Sequence, residues 1–402
     1  LIGVRVLYQA LYRKWRPMSF DDVVSQPHIT TTLKNQIKSG KTAHAYLFTG
    51  SRGTGKTTCA RIFAKAINCL DPHDGEPCLE CEICKDADNG TLSDIIEIDA
   101  ASNSKVDDIR ELREGVVYTP ERCKYKVYII DEVHMLSAGA FNALLKTMEE
   151  PPPHVKFILA TTEIHKVPAT IVSRCQHFDF HRIRNEDIVS RLMYIASQEG
   201  FTLHEDAAGM IARLSDGGMR DALSLLDQCV AYENDITLDV VSSASGIAGR
   251  DYLFDILEKI AEKDAAGALR VVDKLYDMSK DLKVLAGELL AQMRNVMIIK
   301  TIDNNKDLIT CLPDEYERLK ALAERMKLDE ILGDINTLQE CSERFAKSTS
   351  KRIELEMCII KLCGAAQKAG ATAQAASGNA EITVLLNRIT QLENALKNGA
   401  VL

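Results

Sequence analysis

An α/β domain on a parallel sheet, followed by helical domains, is the architecture this sequence predicts. Three observations predict it. Short apolar runs alternate with helical patterns over residues 1–180, the signature of βαβ units. A glycine-rich turn joins the first run to the helix after it. From about residue 181 the strand patterns cease while helical periodicity continues.

The elements follow in order. Tyr46-Leu47-Phe48-Thr49 reads as a short buried strand, and a helix from Gly55 carries Cys59, Phe63, Ala66 and Ile67 on one face. Ile95-Ile96-Glu97-Ile98 is the next strand. Ser104, with Asp107 three residues on, has the form of a capping box opening a helix. Val127-Tyr128-Ile129-Ile130 is a third strand. A helix over about 137–149 turns Phe141, Leu144, Leu145 and Met148 inward, and Pro151-Pro152-Pro153 stops it. Phe157-Ile158-Leu159-Ala160 is a fourth strand. Residues 181–245 read as a small helical domain, and 246–364 as a second, with Leu253, Ile256, Leu257 and Ile260 at helical spacing. Residues 365–380, rich in Ala, Gly, Gln and Ser, read as a flexible linker. In 381–397 Ile382, Leu385, Leu386, Ile389, Leu392 and Leu396 form one stripe, which fits a partner-binding helix and a frayed amphipathic tail equally.

Composition narrows the class. The chain has 402 residues, 46% hydrophobic and 27% charged, as a soluble globular protein of several domains does. A net charge of −9 argues against coating nucleic acid by bulk charge. No apolar run reaches the roughly 18 residues that span a bilayer. The first ten residues hold no long apolar stretch, so no signal peptide is expected. Twelve cysteines, eight of them scattered singly, do not form the dense pattern of a secreted scaffold. A reducing cytoplasm is the expected location.

Gly50-Ser51-Arg52-Gly53-Thr54-Gly55-Lys56-Thr57 matches G-x-x-x-x-G-K-[ST], between a strand and a helix, with Thr58 next in line. Its glycines let backbone N–H groups form a phosphate-sized nest, and the helix N-terminus adds positive potential. Lys56 is expected to reach the β- and γ-phosphates of ATP, and the Thr57 hydroxyl to bind Mg²⁺. Asp131-Glu132 ends the third strand. Asp131 is expected to hold Mg²⁺ and Glu132 to orient the attacking water, because phosphoryl transfer needs positioning and charge above all. Asp131-Glu132-Val133-His134 is also a DExH box, which points to a helicase, and His134 reads equally as an ordinary helix-start residue. A helicase requires a second α/β domain, whereas 181–364 shows only helices.

Cys69, Cys78, Cys81 and Cys84 are spaced C-x8-C-x2-C-x2-C. Four thiolates within 16 residues suit a closed tetrahedral structural Zn²⁺ site. A ferredoxin-type run would place a fourth cysteine where this chain has Asp88, and a disulfide conflicts with the compartment.

Further segments combine with these motifs: Tyr8-Gln9-Ala10-Leu11-Tyr12-Arg13-Lys14-Trp15-Arg16-Pro17, Phe20-Asp21-Asp22-Val23-Val24-Ser25-Gln26, Ala160-Thr161-Thr162-Glu163, Ser173-Arg174-Cys175 and Gly218-Met219-Arg220-Asp221. Together with the four-cysteine insert they resemble the bacterial DNA polymerase III gamma/tau subunits over roughly residues 8–364. The resemblance implies an AAA+ ATPase domain over 1–180 with the zinc module at about 69–84, a helical lid over 181–245, an all-α collar over 246–364 that oligomerises, and a linker and tail over 365–402. It implies an ATP-hydrolysing clamp-loader motor that places the sliding clamp on primed DNA. Thr162 would be the sensor near the γ-phosphate, Arg220 the lid sensor, and Arg174 the arginine finger of a neighbouring subunit's site. Val23 and Val24 would line the adenine pocket, and Lys105 and Lys146 would touch DNA. The implied partners are further copies and sister subunits in a pentamer, the sliding clamp and primed-template DNA. Polymerase and helicase would be reached through domains beyond Leu402. No polymerase carboxylate constellation is visible.

Overall fold

The apolar runs become a parallel five-stranded sheet in the computed structural model, which describes residues 9–102, 109, 112, 114–246, 251–303, 308, 309, 311, 313–345, 348 and 350–364. The chain divides into two compact units, Leu1–Ser245 and Gly246–Leu402. The first opens with helices α1 (Leu11–Lys14) and α2 (Pro27–Ser39), then strand β1 (Ala45–Gly50) and helix α3 (Lys56–Asn68). Helix α4 (Glu82–Asn89), strands β2 (Ile95–Asp99) and β3 (Lys126–Asp131), helix α5 (Ala138–Glu149), strand β4 (Val155–Thr161), helix α6 (Ala169–Val172) and strand β5 (Gln176–Phe180) follow. The strand order is β2-β3-β4-β1-β5.

Burial explains that order. β1, β3 and β4 are apolar runs whose inner residues are all buried. A parallel strand covered on both faces needs that composition, so these three sit in the middle. Alternate residues point to opposite faces. Leu47, Tyr128, Ile130, Phe157 and Leu159 pack against Phe141, Leu144 and Met148 of α5. Tyr46, Phe48, Val127, Ile129 and Ile158 pack against Phe63 and Ile62 of α3 and Ile29 and Leu33 of α2. The edge strands are less apolar. β5, Gln176-His177-Phe178-Asp179-Phe180, has no apolar run, only Phe178 and Phe180 buried. It is therefore a fifth strand beyond the four marked from sequence. Because β4 lies between β1 and β3, the carboxyl ends of these three strands adjoin, where open α/β sheets bind ligands.

The rest of this unit is helical: α7 (Asn185–Glu199), α8 (Glu205–Leu214), α9 (Met219–Tyr232) and α10 (Leu238–Ala244). Strands do not cease altogether at 181, since the two-residue segments Thr202–Leu203 and Asp235–Ile236 pair in parallel. They are too short to carry a period in the sequence, and the packing of the helices brings them together.

The second unit contains helices α11 (Asp251–Ala261), α12 (Ala265–Asp277), α13 (Leu282–Thr301), α14 (Pro313–Arg325), α15 (Leu328–Arg344) and α16 (Lys351–Leu362). Its core includes Leu253, Ile256, Leu257 and Ile260 from the first of them, with Leu289, Met293, Leu338 and Ile359. Among its described residues there is no sheet, so the second α/β domain that a helicase requires is not found. No helix among the described residues is long and apolar enough to cross a membrane. Ser104, Lys105, Asp107 and the 365–402 segment lie outside the described residues.

Candidate active site

β1 ends at Gly50, and the loop that follows needs its glycines. Gly50, Gly53 and Gly55 have φ of 132°, 77° and 103°, values a side chain disfavours. A Cβ at Gly50 would lie 2.2 Å from the Phe180 carbonyl, and one at Gly53 3.0 Å from Gly218 Cα. The Met219 N–H donates to the Gly53 carbonyl at 3.0 Å, so the helical segment starts directly on the loop. Thr54 Oγ1 donates to the Ser51 carbonyl at 2.8 Å. Lys56, at the first position of α3, is 6% exposed. Its ammonium donates to the carbonyls of Gly50 and Ser51 at 2.8 and 2.7 Å. Burial pushes its pKa down, with Glu132 and Asp131 pulling the other way. Ser51 and Arg52 complete the turn, Arg52 exposed.

The acidic pair faces this loop. Thr57 Oγ1 donates to Asp131 Oδ2 at 2.6 Å. The hydroxyl and carboxylate thus form a compact oxygen pair of the kind Mg²⁺ takes beside phosphate oxygens. Glu132 has φ 47°, the left-handed region that bulky L-residues avoid. Its Oε2 accepts from Thr162 Oγ1 at 2.9 Å and from the Thr162 N–H at 3.2 Å. The sheet order makes this contact: Thr162 directly follows β4, and β4 is the neighbour of β3.

Two basic groups approach from other elements. Arg220, in the first turn of α9, stacks over the Tyr12 ring, 5.2 Å from its centroid. Arg16 donates from Nε to Thr58 Oγ1 at 3.1 Å. Burial first, and then nearby Arg61, hold the Arg16 guanidinium at about 10, with Glu97 and Asp131 opposing. Val23 and Val24 are half-buried in the segment between Phe20 and Gln26. Gln26 is buried and anchors that segment by donating to the His181 carbonyl at 2.7 Å.

Arg174 and Lys146 are not drawn to the loop. Arg174 donates to the Thr170 carbonyl at 2.8 Å and to Glu149 at 2.9 Å, with its side chain 35% exposed. Lys146 is exposed on α5.

The Sγ atoms of Cys69, Cys78, Cys81 and Cys84 all lie within 4.8 Å of one another. The Cys69–Cys81 and Cys78–Cys84 pairs are each 4.0 Å apart. Four sulfurs at about 2.3 Å from one zinc ion would stand about 3.8 Å apart, so the donor set fits. Backbone N–H groups of Cys78, Cys81 and Cys84 point at the sulfurs of Cys69, Cys78 and Cys81 at 3.3–3.4 Å, which favours thiolates. Burial pushes the Cys69, Cys81 and Cys84 thiols up, and Cys69 and Cys84 stay raised without a metal; at Cys81 the N–H groups of Leu70 and Cys84 outweigh burial and bring it down to about 6. An ion pair between buried Lys65 and the more exposed Asp88, at 2.7 Å, docks α4 on α3.

Comparison with known proteins places this geometry. The DNA polymerase III subunit tau of Bacillus subtilis (strain 168) is 43% identical over 391 residues, covering 97% of this chain and 68% of that protein. The DNA polymerase III subunit gamma of Buchnera aphidicola subsp. Schizaphis graminum is 40% identical over 355 residues, covering 88% of this chain and 98% of its own length. The chain belongs to the DNA polymerase III gamma/tau family. Against the subunit tau/gamma of Haemophilus influenzae, 39% identical, this gamma/tau chain spans about half the length, 51%. Three family descriptions match along it: "DNA polymerase III, delta subunit" at 25–184, "DNA polymerase III clamp loader subunit, ATPase lid domain" at 187–235, and "DNA polymerase III subunits gamma and tau domain III" at 236–376. The chain is thus an ATPase subunit of the clamp-loader class, with the AAA+ sheet and a helical lid.

In this gamma/tau chain the sequence marks no role for Tyr12 or Arg16. The only signal was their place in the Tyr12-Arg13-Lys14-Trp15-Arg16-Pro17 segment, because neither has a motif spacing to the loop. His134 reads from sequence either as part of a DExH box or as an ordinary helix-start residue. In the structure its Nδ1 lies 3.0 Å from Thr161 Oγ1 and 3.3 Å from Glu132 Oε2.

Proposed function

We propose that this chain is the ATP-hydrolysing motor subunit that opens the sliding clamp and places it on primed DNA, working beside further copies and sister subunits in a pentamer. One observation carries the chemistry. Asp131 and Glu132, at the end of β3, are hydrogen-bonded to Thr57 of α3 and to Thr162 just after β4, beside a glycine loop whose Lys56 is buried.

The roles follow from position. The loop N–H groups and Lys56 bind the ATP phosphates. Val23 and Val24 line the adenine side. Thr57 and Asp131 would hold Mg²⁺, which when bound neutralises phosphate charge. Glu132 takes a proton from water as the water oxygen bonds to the γ-phosphorus. The bond from that phosphorus to the bridging oxygen breaks, and ADP leaves with the electron pair. Thr162 fixes Glu132, and Arg220 reads the nucleotide from the lid. Arg174, tied to Glu149 away from its own loop, supplies charge to a neighbour's site, so hydrolysis depends on assembly. The 246–364 helices act as the oligomerising collar. Lys146 and Lys105 face DNA phosphates without reading sequence. The four cysteines hold a structural zinc ion. The other eight cysteines, none of them in a disulfide, suit the reducing cytoplasm.

Steady-state ATP hydrolysis tests this reading, with the chain alone, with sister subunits, and then with clamp and primed DNA, beside Arg174→Ala. A low basal rate that rises with clamp and primed DNA, and falls about 1,000-fold in the variant, is expected. A rate indifferent to clamp, primer and Arg174 would mean a self-contained ATPase.

A further inference from the structure

Glu132 is held at a costly backbone position, and three groups converge on one of its oxygens. Its φ of 47° is a strained backbone conformation that persists only where surroundings impose it. Thr162 Oγ1, the Thr162 N–H and His134 Nδ1 lie 2.9, 3.2 and 3.3 Å from Glu132 Oε2. All three address the same oxygen. Thr162 is accounted for in the site, but His134 is not.

His134 is itself fixed. Its side chain is 8% exposed, and each ring nitrogen has a neighbour. Nδ1 lies 3.0 Å from Thr161 Oγ1, and Nε2 lies 3.3 Å from Glu163 Oε2. Thr161 is fully buried and accepts the Glu163 N–H at 3.0 Å. The 3₁₀ turn Val133–Met135 brings the ring back over the end of β4. With a hydrogen on Nδ1 the ring donates to Thr161 Oγ1, and Glu132 Oε2 stands against that same edge at 3.3 Å. The imidazole therefore bridges the end of β4 and the acidic pair, enclosed at both ring nitrogens.

We propose that His134 is a positioning residue for hydrolysis: its Nδ1 edge and Thr162 together pin Glu132 Oε2, leaving the other carboxylate oxygen to take the water's proton. This rests on reading Glu132 as the residue that activates water. Near-attack geometry is sensitive to displacements of about 1 Å, so a carboxylate held on one side only loses rate without losing nucleotide.

The test uses the full chain with sister subunits, clamp and primed DNA, measuring kcat, KM for ATP and equilibrium ATP affinity. His134→Asn puts an amide nitrogen near the place of Nδ1 and keeps the Glu132 side. His134→Gln reaches toward the place of Nε2 and keeps only the Glu163 side. We expect His134→Ala and His134→Gln to lower kcat by about 10–100-fold, with KM and affinity within about twofold, and His134→Asn to restore most of the rate. Should His134→Ala not fold, the Asn and Gln variants carry the comparison alone. Equal rates for Asn and Gln, an unchanged kcat in Ala, or a loss confined to KM would overturn the proposal. Glu132→Gln, run alongside, separates the two levels. If it keeps full kcat, the role of Glu132 fails and this inference with it. If it is inactive while the His134 variants are normal, only the inference fails.

Discussion

Asp334 lies within the helical unit, 8% exposed, with Oδ2 unpartnered. Burial raises its pKa to about 6, and Lys263 offsets this only in part. A carboxyl whose folded pKa is raised contributes stability below its unfolded value, near 4, and loses it as pH rises through the folded one. The window is therefore about pH 4–6, and at neutral pH the ionised form opposes folding. Asp334→Asn should be more stable than the parent by on the order of 1–2 kcal/mol at about pH 7.5, with the gap narrower at about pH 5 and closed near pH 4. Denaturant melts at these pH values check this, and a gap that widens in acid would refute it. Gly53 is constrained differently. With φ at 77° and Gly218 Cα 3.0 Å from a built Cβ, Gly53→Ala should leave the fold intact. It should weaken ATP binding by about tenfold or more, read by nucleotide titration.

The insert between α3 and β2 has little core of its own, since α4 buries only Ile83 and Cys84. Other contacts hold it in place. Lys65 pairs with Asp88, and Arg122 reaches Asp86 and Glu82. Glu76 accepts the Phe20 N–H at 2.8 Å and pairs with Lys34 at 2.6 Å. The four sulfurs supply the remaining constraint. Chelating the zinc, or Cys84→Ser, should raise protease cleavage within 69–90 by about tenfold, while the sheet stays resistant. Mass spectrometry of the fragments locates the cuts. Cleavage spread evenly over the first unit would show that the metal supports the whole domain.

At the scale of the molecule, the proposed function assigns nucleotide chemistry to the first compact unit and assembly to the second. A chain ended after Ser245 keeps every element of the loop and acidic-pair site. It should bind ATP within about threefold of the longer chain but fail to assemble with sister subunits. Nucleotide titration and sedimentation of the mixture check both halves. Assembly by the short form would assign that role to the first unit. Arg174 belongs at this scale too, because its hydrogen bonds go to Glu149 and Thr170 and not to its own loop.

The sequence by itself determined what is local. The phosphate loop spans eight residues and the cysteines sixteen, so backbone conformation alone brings their groups together and spacing suffices to recognise them. The central strands were legible because burial on both faces demands unbroken apolar runs. β5 was not, since an edge strand needs only alternate apolar residues. The tertiary structure decided what meets across the chain. Thr57 reaches Asp131 over 74 positions, Glu132 meets Thr162 over 30, and Arg16 meets Thr58 over 42. No periodicity records such distances. They follow from strand order, which places β4 between β1 and β3, and from the left-handed turn at Glu132 that carries His134 back toward it.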